Sequence, residues 1–177
     1  LNAFTDGGAL SYADFSDERK FIAAEAQGER VRFVAAFDDV ASINYFGKIL
    51  KATYLTKKTV FDAITETFDR ADELMSAERA LDDELAARCG GRDAHYRLLC
   101  ASLRQSVAAH KLVSDGDRLL FISKECHSNG CAATVDVTYP SAPLYLLYNP
   151  ELLWGMLEPV FDFAAMPVWE FDFAPHD

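Results

Sequence analysis

From Thr59 to Val113 the apolar residues recur at every third or fourth position, interrupted by a single glycine pair. Phe61, Ile64, Phe68, Ala71, Met75, Leu81 and Leu85 fall on one face of a helix for about seven turns, with Glu78 the one polar interruption. Thr59 with Asp62 three residues on forms an acidic variant of the capping box, and Gly90-Gly91 supplies the stop. A second helix begins near Arg92, carries Tyr96, Leu99, Leu103 and Val107 on one side, and ends around Val113. Two long helices joined by a glycine turn form an antiparallel αα-hairpin, and each striped face needs another helix to cover it. The expected fold class is therefore mainly α.

Residues 1–30 read as a lead-in, irregular around Gly7-Gly8, with a short helix from Asp17 to about Gln27 capped by Ser16 and stopped by Gly28. Val31 to Phe37 fits either a short buried strand or the approach to a helix. Asp38 or Asp39 then caps a helix with Val40, Ile43, Phe46, Leu50 and Tyr54 at alternating three and four spacing. After Ser114, Asp115-Gly116-Asp117 signals a turn and Arg118 to Ser123 a short strand. Residues 123–143 hold Ser, Asn, Gly, Thr and two prolines with no helical period, and are expected to form a polar irregular segment. Helix grammar returns at Asn149-Pro150-Glu151, with Leu152, Leu153, Met156 and Leu157 as the apolar face and Pro159 either kinking that helix or starting another.

Composition narrows the partners. A chain of 177 residues can remove roughly 70% of its unfolded surface from water and needs no disulfide scaffold. Half of it is hydrophobic, which excludes a wholly disordered chain. The net charge of −11 leaves no surplus of Lys or Arg to displace counterions from a phosphate backbone or to seek an anionic bilayer. No nucleic acid and no membrane insertion are therefore expected, and no apolar run approaches the roughly 20 residues of a spanning helix. Cys89, Cys100, Cys126 and Cys131 lack metal-ligand spacing; they read as buried free thiols, with one disulfide as the alternative. No metal or other cofactor is expected. Phe161, Phe163, Trp169, Phe171 and Phe173 load the last twenty residues with aromatic rings, which suggests a fragment whose missing portions cover them.

Five blocks, taken in order, resemble one family. They are Phe37-Asp-Asp39 leading into Ser42-Ile-Asn-Tyr-Phe-Gly47, then Ser123-Lys-Glu-Cys-His-Ser-Asn-Gly130, Thr134-Val-Asp-Val-Thr-Tyr-Pro-Ser141, Tyr148-Asn-Pro-Glu-Leu152 and Phe173-Ala-Pro-His-Asp177. Over roughly residues 30–177 the chain looks like the central domain of the glutaminase A family, with His127 where an aromatic is expected. The resemblance implies part of an (α/α) six-hairpin, toroid-like domain with a few short strands, within a longer polypeptide. It also implies export to the periplasm, cell surface or medium, and partner segments N- and C-terminal in the same polypeptide.

Amide hydrolysis needs an activated nucleophile or water, donors for the oxyanion and an acid for the departing ammonia. It also needs a cation for the α-carboxylate of glutamine and an acid for its α-ammonium. The chain has no G-x-S-x-G, S-x-x-K, H-E-x-x-H or Walker A motif to supply these. Candidates come instead from the polar segment and the two ends of the resemblance. Glu125 and Asp136 lead as acid and base, with Asp39 and Asp177 as further carboxylates. Lys124, Ser128, Asn129 and His176 are the candidates for substrate contact, Lys124 as the anion partner. Asp39 also reads as a helix cap, His95 and His110 as surface or packing residues, and Cys126 beside His127 as a remote nucleophile. The same carboxylates allow a rival reading, a glycoside hydrolase acting on a sugar through a carboxylate pair. A third is a non-catalytic structural or binding portion that needs the rest of the polypeptide.

Overall fold

The computed structural model describes residues 2–5, 9–14, 20–25, 32–124 and 130–177, which fall into two compact units. The first unit comprises Leu1–Val40 and Lys57–Ala80. In it β1 (Asn2–Thr5) pairs antiparallel with β4 (Phe33–Ala36), and β2 (Ala9–Asp14) with β3 (Lys20–Glu25). This corrects the irregular lead-in and the helix expected from Asp17. Register from Ala9↔Glu25 to Asp14↔Lys20 satisfies the backbone of both segments through a pairing that local propensity does not encode. The extended option for Val31 to Phe37 is the one realised, as β4.

The helix after Thr59 follows its sequence signal. Thr59 Oγ1 accepts from the Asp62 amide, and Asp62 Oδ2 accepts from the Thr59 amide at 2.8 Å, closing the capping box that starts α1 (Val60–Asp69). The stripe is divided at Arg70, the C-cap of α1, after which α2 (Ala71–Cys89) carries the chain into the second unit at Leu81. Seven continuous turns are thus two successive helices.

The second unit comprises Ala41–Thr56 and Leu81–Asp177. Where a capped helix was expected, β5 (Ile43–Tyr45) and β6 (Lys48–Leu50) form a two-residue hairpin. Phe46 and Gly47 both adopt positive φ, 48° and 89°, and Asn44 Oδ1 accepts from the Gly47 amide at 2.9 Å. The turn chemistry overrides the helix-like spacing. The acidic cap becomes a local turn, in which Asp38 Oδ1 accepts from the Val40 amide.

Gly90-Gly91, at φ of 57° and 80°, joins α2 to α3 (Asp93–Ala108). Leu85 and Arg88 of α2 line a groove of about 540 Å³ with Leu99 and Leu103 of α3. The chain leaves the helix five residues before Val113, because His110 already belongs to β7 (His110–Asp115), paired with β8 (Arg118–Ser123). That second strand and its Asp-Gly-Asp turn agree with expectation.

The segment 123–143 is a correction in its second half. The helix α4 (Val135–Tyr148) runs through Pro140 and Pro143, burying Thr138 and Tyr145 seven residues apart on one face. Next, α5 (Pro150–Ala164) begins as its sequence dictates, with Asn149 Oδ1 accepting from the Glu151 amide and Pro150 in the first turn.

The strand β8 organises the core. Leu120 and Ile122 face one apolar cluster with Tyr45, Leu50, Val113 and Val160, while Phe121 faces the other with Tyr145 and Met156. Helix α5 approaches β8 so closely at Gly155 that a Cβ there would lie 2.5 Å from the Leu119 carbonyl oxygen. Helices thus dominate the second unit, with β-hairpins threaded between them.

Candidate functional site

The site is assembled where β8 ends and α4 begins. Lys124 bridges to Ala132, and the Ala133 amide donates to the Ser123 carbonyl at 3.0 Å, closing the loop whose residues 125–129 lie outside the described chain. Glu125, Cys126, His127, Ser128 and Asn129 therefore have no placement here. Ala133 takes a φ of 58° and turns the chain into α4, whose first turn carries Asp136.

The first amide of α4 has no partner within its own helix. Val135 N–H donates instead to the carbonyl oxygen of His176 at 2.8 Å, so the C-terminal segment is pinned across the helix start. His176 then lies between two carboxylates. Its Nδ1 is 3.1 Å from Asp177 Oδ2 and its Nε2 is 3.6 Å from Asp136 Oδ2. Asp177 foremost, then Asp136, raises the imidazole pKa above its ordinary value. In return His176, with Thr134 and Cys131 nearby, holds the Asp177 carboxyl below the usual carboxylate range.

Asp177 and Lys124 both line a cleft of about 450 Å³, with Asn44, Tyr45, Phe46 and Phe163 also in its wall. The Phe46 and Phe163 rings lie nearly parallel, 7° apart in plane and 5.9 Å between centroids. Behind the wall, buried Tyr45 donates its hydroxyl to Asp162 Oδ2 at 2.6 Å. Arg118 reaches the same oxygen at 2.8 Å and also holds Asp115, which Lys48 approaches at 3.2 Å. Burial and the Asp162 hydrogen bond push the Tyr45 phenol far up, so it stays a neutral donor. Arg118, then Lys48, holds Asp115 down. This network braces the β5–β6 hairpin.

Asp136, His176 and Asp177 are thus brought together, and Lys124 shares the cleft wall with Asp177. Asp39 is half-buried in the first compact unit and caps no helix. Asp162, Arg118 and Tyr45 escaped the sequence reading; the only local signal was the charged turn at Asp115–Arg118. His110 is a packing residue, its ring stacked on Phe121 at 4.4 Å, and His95 is exposed on α3. Cys89 and Cys100 are free thiols. Among the described residues no group of three or more His, Cys, Asp or Glu side chains could hold a metal ion. No helix among them is long and apolar enough to cross a membrane.

The glycine pair joins α2 to α3 as a helical hairpin. Residues 93–177 match the family model of the glutaminase A six helical-hairpin domain. The chain is also similar to glutaminase A of Aspergillus oryzae, 29% identical over 146 residues that cover 77% of this chain and 21% of that protein. A protein of Arthroderma benhamiae named as a probable glutaminase is 26% identical over 164 residues, 91% of this chain and 18% of its own length. The chain therefore spans about a fifth of the length of these curated relatives. No solved structure matches it. The family model, over just under half of the chain, and both relatives support the resemblance to the glutaminase A family drawn from the five motif blocks.

Proposed function

We propose that this chain is the part of a glutaminase-related hydrolase that contributes its reacting pair, His176 and Asp177, for conversion of L-glutamine and water to L-glutamate and ammonia. The observation carrying this reading is Asp177 in the cleft wall, kept ionised by an imidazole that a second carboxylate also holds. Asp177 takes a proton from water as its oxygen attacks the side-chain amide carbon. His176 delivers a proton to the nitrogen as the carbon–nitrogen bond breaks and ammonia leaves. Lys124 meets the α-carboxylate of the substrate, and Asp136 supports the charge on His176.

The wider setting is a six-hairpin (α/α) toroid in an exported polypeptide, with the remaining helices supplied by chain on either side. That setting rests on the family relationship and on the small share of the relatives' length that this chain covers. A second reading has its own support: the parallel Phe46–Phe163 pair beside Asp177 offers an aromatic wall to a sugar ring, with Asp136 and Asp177 as the carboxylate pair of a glycoside hydrolase. Ammonia release from L-glutamine, set against reducing-sugar release from a panel of glycosides, separates the two. Ammonia production supports the amide reading. Sugar release without ammonia would replace it.

A further inference from the structure

From Met166 to Asp177 the chain has neither long helix nor strand, and Pro175 is the only fully buried residue along it. Apolar burial cannot set the course of such a segment, so its directed hydrogen bonds must. Among the described residues two of them reach residues 173–177 through a carbonyl, beside the bonds of the Thr134 and Cys131 side chains to Asp177. Trp169 Nε1–H donates to the Phe173 carbonyl at 2.6 Å, closing a five-residue loop, and Val135 N–H donates to the His176 carbonyl at 2.8 Å. The Trp169 ring is itself fixed against Phe163 of α5 at 5.6 Å, with Phe171 and Phe173 packed on it at 5.0 and 5.9 Å. Phe171 and Phe173 remain 61% exposed, so their packing adds little apolar burial. A phenyl ring could replace the stacking at position 169, but only the indole supplies the N–H.

We infer that Trp169 is a positioning residue for the reacting pair, its indole N–H directing residues 173–177 so that Asp177 reaches the cleft and His176 enters between Asp136 and Asp177. The inference rests on the reading of that pair given above. Among the described residues, the charged groups facing His176 are Asp177 on its own segment and Asp136 on α4.

Two measurements on the complete polypeptide that contains this chain test it, using Trp169→Phe and, should that variant fold poorly, Trp169→Tyr. The first follows the histidine C2 resonances through a pH titration, with His176→Gln assigning the signal and His110 reporting an intact fold. In the wild type His176 titrates above about 6.5; in the Trp169 variants it returns toward that value while His110 is unchanged. The second follows ammonia release. The variants lose about 10- to 100-fold in kcat with little change in KM, and the alkaline limb of the pH profile moves to lower pH. A wild-type-like His176 titration in a folded Trp169 variant would overturn the inference. If the wild type releases no ammonia but the titration still moves with Trp169, the positioning role stands and the glutaminase reading fails.

Discussion

Val135 and His176, forty-one positions apart in sequence, are joined by a 2.8 Å bond from the first amide of α4 to a carbonyl of the C-terminal segment. The same contact brings an imidazole to Asp136, so helix start, segment and candidate site form one unit. Because His176 has its pKa raised on folding, its pairing is fully present below about 6.5 and is lost as pH rises through the higher folded value. The hydrogen-exchange protection factor of the Val135 amide should fall over that window. In Asp177→Asn, which removes the main partner, the decline should shift toward pH 6.5.

His110 should give the opposite sign. Burial lowers its pKa, while its Nδ1 lies 2.6 Å from the Ser106 carbonyl and its Nε2 is buried with no partner among the described residues. The unfolded chain binds the proton first, so stability is full above about 6.5 and falls as the pH drops toward the folded value. Denaturation midpoints at pH 7.5 and 5.5 check this. His110→Phe should keep the stack on Phe121, cost about 0.5–1.5 kcal/mol at neutral pH, and flatten this part of the acidic slope.

Gly155→Ala should destabilise the second unit by about 1–3 kcal/mol, because its methyl meets strand backbone rather than a movable side chain. Urea unfolding followed by circular dichroism reads this directly, and a neutral result would mean that α5 and β8 can separate without loss.

Tyr45→Phe tests the brace behind the cleft. Loss of the hydroxyl that donates to Asp162 should cost about 1.5 kcal/mol, the lower end for a bond to a charged group because Asp162 is partly exposed and keeps Arg118. Thermal unfolding of wild type and variant measures it.

How much of this could be read from the chain depended on the range of each signal. Thr59 with Asp62 and Asn149-Pro150-Glu151 act within four residues, and both helix starts follow them. The pairing of Ala9–Asp14 with Lys20–Glu25 satisfies backbone groups across strands, so neither segment shows it alone. At 43–50 the apolar spacing suggested a helix while Asn44 and Gly47 already carried the turn that the fold uses. In α4, Thr138 and Tyr145 had the helical spacing, but two prolines obscured it. The site divides in the same way. Asp136, His176 and Asp177 could be named from the motif blocks, but their meeting depends on the Val135–His176 bond. Tyr45 and Asp162 are 117 residues apart, and nothing local to either announces the other.

The proposed mechanism turns on Asp177 as a reacting carboxylate. Its most direct test is ammonia release from L-glutamine by the complete polypeptide containing this chain, as wild type and as Asp177→Asn, under conditions where both are folded. The account predicts release by the wild type and a loss of about 10²–10⁴-fold in kcat for the variant. A folded Asp177→Asn protein that releases ammonia at the wild-type rate would contradict it.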